Sequence, residues 1–248
     1  MKFGIDLGHG VNPDRGAVGN IAEETIIDSV GKLVINKLKE LGHSIIELRP
    51  ANATSVSNSL YQRYNKSDYY NVDMCVSIHA NAGGGTGTEV FTYNAKEVQQ
   101  ARAVLNNVCS LGFKNRGIKD GSHLAMVKRP KAPAMLIEVC FVDNKTDVDL
   151  YNSVGPEKIA DAIVSGLTGQ TVSAGTEKKY YVVTNYLPNA YGNYDGVDIN
   201  YVLQYFKGVK CYVRGNSKGI WVETEYITKE KAEELKNILG AWFYAIKE

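Results

Sequence analysis

The stretch Val72–Gly85, VDMCVSIHANAGGG, constrains this chain more than any other. Apolar β-formers from Val72 to Ile78 have the pattern of a buried strand, and the asparagine and glycines after His79 break it at once. In open α/β sheets, ligands bind in the crevice at the carboxyl ends of the strands. His79, where the strand ends, is therefore placed to present its imidazole to a cleft. Taken alone, it is equally a core histidine tied to a carbonyl, so the reading depends on what stands at the other strand ends.

The same setting recurs at the start of the chain, where Lys2–Leu7 alternates into a strand that stops at Gly8-His9-Gly10. Turn formers follow, and from Ala22-Glu23-Glu24 a helical pattern begins. Ile26, Ile27, Val30, Leu33, Val34 and Leu38 repeat at three and four, and Gly42 closes the helix. Glu23 lies three, four and seven residues before Ile26, Ile27 and Val30, which puts it on their inward face. Glu24 shares a face with Ile27, Val34 and Gly31 and is the less buried of the two. The helix macrodipole alone would account for either acid in a first turn.

His43 reads as a helix-exit residue near solvent, and Ser44–Leu48 as the next strand. A short amphipathic helix from Ser59 to Asn65 carries Arg63. Gly87–Tyr93 reads as a further strand, with Glu89 an ordinary edge-strand acid, and a helix is expected from Ala95 to Leu111. Arg116, Lys119 and His123 fall in a loop region, as substrate contacts or as solvated positions. The run Pro133–Val142, PAMLIEVCFV, is apolar almost throughout and reads as a central strand covered on both faces. Glu138 is the exception in it. A buried carboxylate costs several kcal/mol unless it is paired, metal-bound or protonated, so it has a structural partner or a chemical task. Pro156–Leu167 reads as a closing helix.

Composition narrows the function classes. The 248 residues, 44% hydrophobic and 22% charged, suffice for one large domain or two unequal ones. With 28 basic and 27 acidic residues the net charge is +1, which argues against nucleic-acid binding and against a polybasic membrane patch. Cys75, Cys109, Cys140 and Cys211 show no CxxC spacing and read as reduced core residues. The opening MKFGIDLGHG passes directly into a strand, without the basic and apolar regions of a signal peptide. The expectation is a chain made in the cytoplasm that does not insert into a membrane.

Two strand-end histidines, a first-turn glutamate and a buried strand glutamate can be tested against metal chemistry. A catalytic zinc takes three protein ligands, often two His and one carboxylate, and keeps a fourth position for water. His9, Glu23 and His79 would fill those three places, with Glu138 as the general base of an amide hydrolase that needs no serine or cysteine nucleophile.

The motifs GIDLGHG, GAVG, the Glu23-Glu24 helix start, SIHANAGGGTGTEVF and PAMLIEVCFVDN resemble the zinc-dependent N-acetylmuramoyl-L-alanine amidases of the Amidase_3 family, especially endolysins of clostridial and listerial phages. The resemblance covers about residues 1–170 and implies a twisted, mostly parallel sheet with helices on both faces. It also implies Zn2+ on His9, His79 and one of the two glutamates, with Glu138 as catalytic glutamate. The implied substrate is peptidoglycan, cut between the lactyl group of N-acetylmuramic acid and L-alanine of the stem peptide. Two other readings stand beside it, a zinc peptidase acting within the stem and a non-catalytic wall-binding protein. Where the family often has a second glycine after His-Gly, this chain has Val11-Asn12-Pro13 and an apparent insertion. Counting from GAVG favours Glu24 and counting back from Gly42 favours Glu23. Helix length fixes a side chain's direction whereas loops absorb insertions, so Glu23 is preferred. Without a signal peptide, the implied role is that of a phage endolysin, released to reach the wall.

Residues 171–178 sit in a small, polar linker-like stretch. From 179 to 248 the order is strand, helix, strand, strand, helix, strand, a split βαβ plan, and about 70 residues suffice to fold alone. This part weakly resembles SPOR-like glycan-binding modules. Its many aromatics, among them Tyr191, Tyr194, Tyr201, Tyr212 and Trp221, suit sugar rings, a small core or a homo-oligomer contact. It is expected to be a cell-wall-binding domain.

Overall fold

The computed structural model describes residues 1–170, 179–187 and 198–248. Contacts divide the chain into two compact units, Met1–Ser173 and Ala174–Glu248. The linker expected at 171–178 lies outside the described residues, as do Tyr191 and Tyr194.

The first unit alternates strand and helix: β1 (Lys2–Leu7), α1 (Glu23–Glu40), β2 (Ser44–Glu47), α2 (Val56–Tyr69), β3 (Met74–Asn81), β4 (Thr88–Thr92), α3 (Gln99–Cys109), β5 (Asn115–Asp120), α4 (Ala125–Lys128), β6 (Ala134–Phe141), α5 (Lys145–Val154) and α6 (Pro156–Thr168). The strands form one sheet in the order β2-β1-β3-β6-β4-β5. Neighbours are parallel except at β4–β6, where the chain runs antiparallel. The expected mixed α/β plan with a mostly parallel sheet is the observed one.

Side chains alternate across each strand, and this sorts them into two layers. Phe3, Ile5, Leu7, Val76, Ile78, Ile137 and Val139 point to one face and join Ile26, Ile27, Val30, Val34 and Leu38 of α1 with apolar residues of α3 and α6. All twelve of these named side chains are fully buried or nearly so. Each such burial contributes roughly 1.5–3 kcal/mol, so this layer holds the sheet rigid. The second face carries a smaller cluster, Leu48, Val72, Cys75 and Met126, against α2 and α4. There the carboxyl-end half of the layer is polar: Ser59, Arg63 and Ser67, one turn apart on α2, are buried without being apolar.

Several elements differ from expectation. Ser55 caps α2 by accepting the Asn58 amide at 3.1 Å, and the helix extends from Val56 to Tyr69. The helix expected from Ala95 begins at Gln99, after a 3-10 turn at Tyr93–Ala95 in which Asn94 has φ 55°. The stretch around Arg116 is strand β5, which makes β4 an interior strand.

The second unit comprises β7 (Tyr181–Thr184), α7 (Ile199–Leu203), β8 (Cys211–Asn216), β9 (Gly219–Thr224), α8 (Lys229–Leu239) and β10 (Phe243–Lys247). Its sheet has the order β10-β7-β9-β8 and every pairing is antiparallel, the arrangement a split βαβ unit requires. Val182, Val202, Phe206, Val222, Ala232, Leu235 and Leu239 make its core. The aromatics divide as chemistry suggests: Tyr205 and Trp242 lean on that core, while Tyr201, Tyr212, Tyr226 and Tyr244 are exposed.

Candidate functional site

β1 and β3 are parallel neighbours, so the residues after Leu7 and the last residues of β3 meet at one edge of the sheet. β3 continues to Asn81, and His79 is thus inside the strand, in register with Glu138 of β6. Gly8 makes room for it, since a Cβ at that position would lie 2.3 Å from the His79 ring. His9 has φ 51°, a left-handed backbone that non-glycine residues rarely adopt and that costs of order 1–3 kcal/mol unless neighbours impose it. Arg63 is one such neighbour. Its Nη2 donates to the His9 carbonyl at 2.7 Å, and its Nη1 to the Leu7 carbonyl at 2.7 Å and to Asp6 Oδ1 at 2.6 Å.

Glu23 opens α1 and points inward, 5% exposed. Its Oε1 lies 3.0 Å from His79 Nδ1 and 3.6 Å from His9 Nε2 and accepts the Ala80 amide at 3.2 Å. Its Oε2 accepts the Ala17 amide at 3.0 Å. The imidazole centroids are 4.9 Å apart and the rings cross edge to face. One ligand-type atom from each of His9, Glu23 and His79 lies within 4.8 Å of the others, the one such group found among the described residues. Glu24 points elsewhere, with its carboxylate in a two-point pair with Arg15, each bond 2.6 Å.

Charge at the site is graded. Burial opposes the Glu23 carboxylate, but the His79 hydrogen bond and charge, the charge of His9 and the Ala17 amide hold it below the ordinary range. Burial also opposes the His79 imidazolium, and Glu23, Glu138 and Asp6 together raise its pKa. Glu138 is the outlier: burial pushes its carboxyl up to about 8, against the charge of His79 and with those of Glu23 and Glu89. Its Oε2 is inaccessible and has no hydrogen-bond partner among the described residues. A buried orphan oxygen beside the His79 imidazole and the Glu23 carboxylate fits a site completed by a cation and its water.

Several residues around this cluster were not legible in the chain. Asp14 Oδ1 lies 2.8 Å from His9 Nδ1, while its Oδ2 accepts from Ser59 at 2.7 Å and Arg63 at 3.3 Å. Burial works against the Asp14 carboxylate, yet Ser59, His9 and Arg63 hold it below its usual value. With Nδ1 engaged, His9 presents Nε2 to the cluster, as an oriented metal ligand does. Asp14 stands among turn formers with no periodicity to reveal it. Arg63 did carry a signal, as a charge flanked by serines one turn away on each side, the mark of a buried polar face.

Glu89 is not an edge-strand acid, because β4 lies between β6 and β5. It is 4% exposed, in register with Glu138, bonded by Asn81 Nδ2 at 2.8 Å and paired with Arg116 Nε at 2.7 Å. Arg116 is therefore held in the sheet. Lys119 and His123 are exposed, and the His123 ring meets Phe91 edge on at 6.2 Å between centroids. No described helix is long and apolar enough to cross a membrane.

Known proteins share this frame. A Clostridium perfringens protein is 30% identical over 180 residues, covering 69% of this chain and 53% of its own length. The chain thus spans about half of that relative. The N-acetylmuramoyl-L-alanine amidase LytC of Bacillus subtilis is 31% identical over 172 residues, 65% of this chain and 34% of LytC. The catalytic domain of the CD27L endolysin, described as targeting Clostridia difficile, superposes with a TM-score of 0.63 at 26% identity, over 70% of this chain and 99% of that domain. Residues 4–169 match the Amidase_3 family model, described as N-acetylmuramoyl-L-alanine amidase, and the chain belongs to that family.

Proposed function

We propose that this chain is a zinc-dependent peptidoglycan hydrolase that cleaves the amide between the lactyl group of N-acetylmuramic acid and L-alanine of the stem peptide. The observation that carries the reading is a two-imidazole, one-carboxylate cluster within 4.8 Å, next to a half-buried glutamate whose Oε2 is inaccessible and unpartnered among the described residues. His9, Glu23 and His79 would hold the ion. A bound Zn2+ supplies Lewis acidity, polarising the scissile carbonyl and lowering a water's pKa to about 7.

The chain's own residues do the rest. Asp14 fixes the tautomer and direction of His9, and the Ala17 and Ala80 amides hold both oxygens of Glu23. Glu138 is the general base: it takes the proton of the attacking water and delivers it to the leaving amine as the C–N bond breaks. Burial, which opposes its charged form, makes this carboxylate a ready acceptor of the water's proton. The products are the lactyl carboxylate and a stem peptide with a free alanine amine.

The reading includes a phage-endolysin role, supported by the likeness to the CD27L endolysin domain. It also includes wall binding by the second unit, supported by its exposed tyrosines. Digestion of isolated walls followed by product mass spectrometry, paired with metal analysis, tests the core of it. Free N-terminal alanine and one zinc per chain are expected, with activity lost to a chelator and restored by zinc. New amines only within the stem would replace this reading with a stem peptidase. For the second unit, full-length chain should sediment with walls and a chain ending at residue 170 should sediment less.

A further inference from the structure

His79, Glu138 and Glu89 stand side by side on β3, β6 and β4, in register and on one face of the sheet. Arg116 on β5 extends the row through its Nε, 2.7 Å from Glu89 Oε2. The other Glu89 oxygen is taken by Asn81, so the pair is a single-point contact and not a fork. The guanidinium is also fixed from the side, its carbon 4.8 Å from the centre of the Phe141 ring. Glu89 is neutralised by one nitrogen of Arg116, and the two terminal nitrogens make no hydrogen bond with any described residue. The Arg116 side chain is 31% exposed, whereas Glu89's is 6%. A guanidinium held rigid by its Nε with its fork left to solvent matches carboxylate geometry.

We propose that Arg116 binds a carboxylate of the substrate's peptide, on the leaving-group side of the scissile bond. This rests on the amidase reading above, in which the anionic groups of the substrate lie on the stem peptide. Two strand spacings separate the Glu138 and Arg116 positions, roughly 10 Å. An extended peptide advances about 3.3–3.6 Å per residue, so a carboxylate on its second residue falls within the arginine's reach. Arg116 is the cation of a row that otherwise holds two carboxyls and an imidazole, and it sets a preference for acid over amide at that residue.

The test uses two muramoyl tripeptides that differ only in whether the second stem residue bears an α-carboxylate or an α-carboxamide. The wild-type protein should favour the carboxylate form about tenfold in kcat/KM, mostly through KM. Calorimetry with the two free tripeptide products should show the same preference. In the Glu89→Gln/Arg116→Gln pair, which keeps a neutral contact in the sheet, the ratio should fall to about one. In Arg116→Lys it should be intermediate, with thermal melting reporting that both variants fold. Equal turnover and equal binding of the two forms by wild-type protein would overturn the assignment while leaving the amidase standing. A preference that survives in both folded variants would also overturn it. Hydrolysis of neither substrate, with the binding preference intact, would instead remove the amidase reading and keep the subsite.

Discussion

Replacing Glu138 by glutamine in metal-free protein separates the cost of this residue to the fold from its use. The carboxyl is pushed from its ordinary 4.5 up to about 8. Below pH 4.5 it is protonated in folded and unfolded chains alike and contributes no difference. As the pH rises, the unfolded chain releases this proton first while the folded chain keeps it. The folded state then binds more protons, so stability falls with pH until about 8 and is flat above. At about 1.4 kcal/mol per pH unit, ionised Glu138 costs the fold about 4–5 kcal/mol, less whatever relaxation of the cleft recovers. Glutamine keeps the shape and removes the charge. Urea unfolding of both proteins in chelator, from pH 4 to 9, should give curves that coincide at the acid end and diverge by more than about 2 kcal/mol at pH 8, the variant being the more stable. Titration of Asp14 is common to both proteins and largely cancels in the difference, whereas the substitution also removes the Glu138 charge that helps raise the His79 pKa, which narrows the gap between the curves. Parallel curves, or a variant less stable at pH 8, would refute the claim that burial opposes the charge of Glu138 in the fold. The same substitution should abolish wall hydrolysis.

The two adjacent glutamates should behave oppositely in metal analysis: Glu23→Gln should lose most bound zinc, and Glu24→Gln, which touches Arg15, should retain about one ion per chain by the ligand count of such sites. Asp14→Asn should weaken zinc affinity about 10–100-fold with the far-ultraviolet circular dichroism unchanged, because it loosens the orientation of His9 and not the sheet. Arg63→Ala should lower stability by about 3–5 kcal/mol in chemical denaturation, since it strands the buried carboxylates of Asp6 and Asp14.

Much of the site could be read from local pattern. The strands β1 and β3 follow from apolar runs ended by glycine-rich loops, which is why His9 and His79 stand out, although β3 runs on past the expected end at Ile78 to Asn81 and places His79 inside it. Helix phase put Glu23 on the face of Ile26, Ile27 and Val30, and in the fold it is Glu23 that meets both imidazoles while Glu24 turns to Arg15. Glu138 was conspicuous as the one charge in an apolar strand. The second unit's element order was legible for the same reason, as alternating apolar strands and two helical segments.

What the chain by itself determined, then, is which short segments become strands and helices and which of their side chains face inward, because those depend on residues a few positions apart. Which strands lie side by side was decided only in three dimensions. The reversed insertion of β4 next to β6 turns Glu89 from an expected edge acid into a buried partner of Arg116 and a neighbour of Glu138. Likewise Asp14 and Arg63, 49 residues apart, meet behind His9 only when α2 covers the second face of the sheet. Pairing across a sheet is chosen by the packing of all its layers together, and no periodicity along one segment encodes the identity of the neighbour.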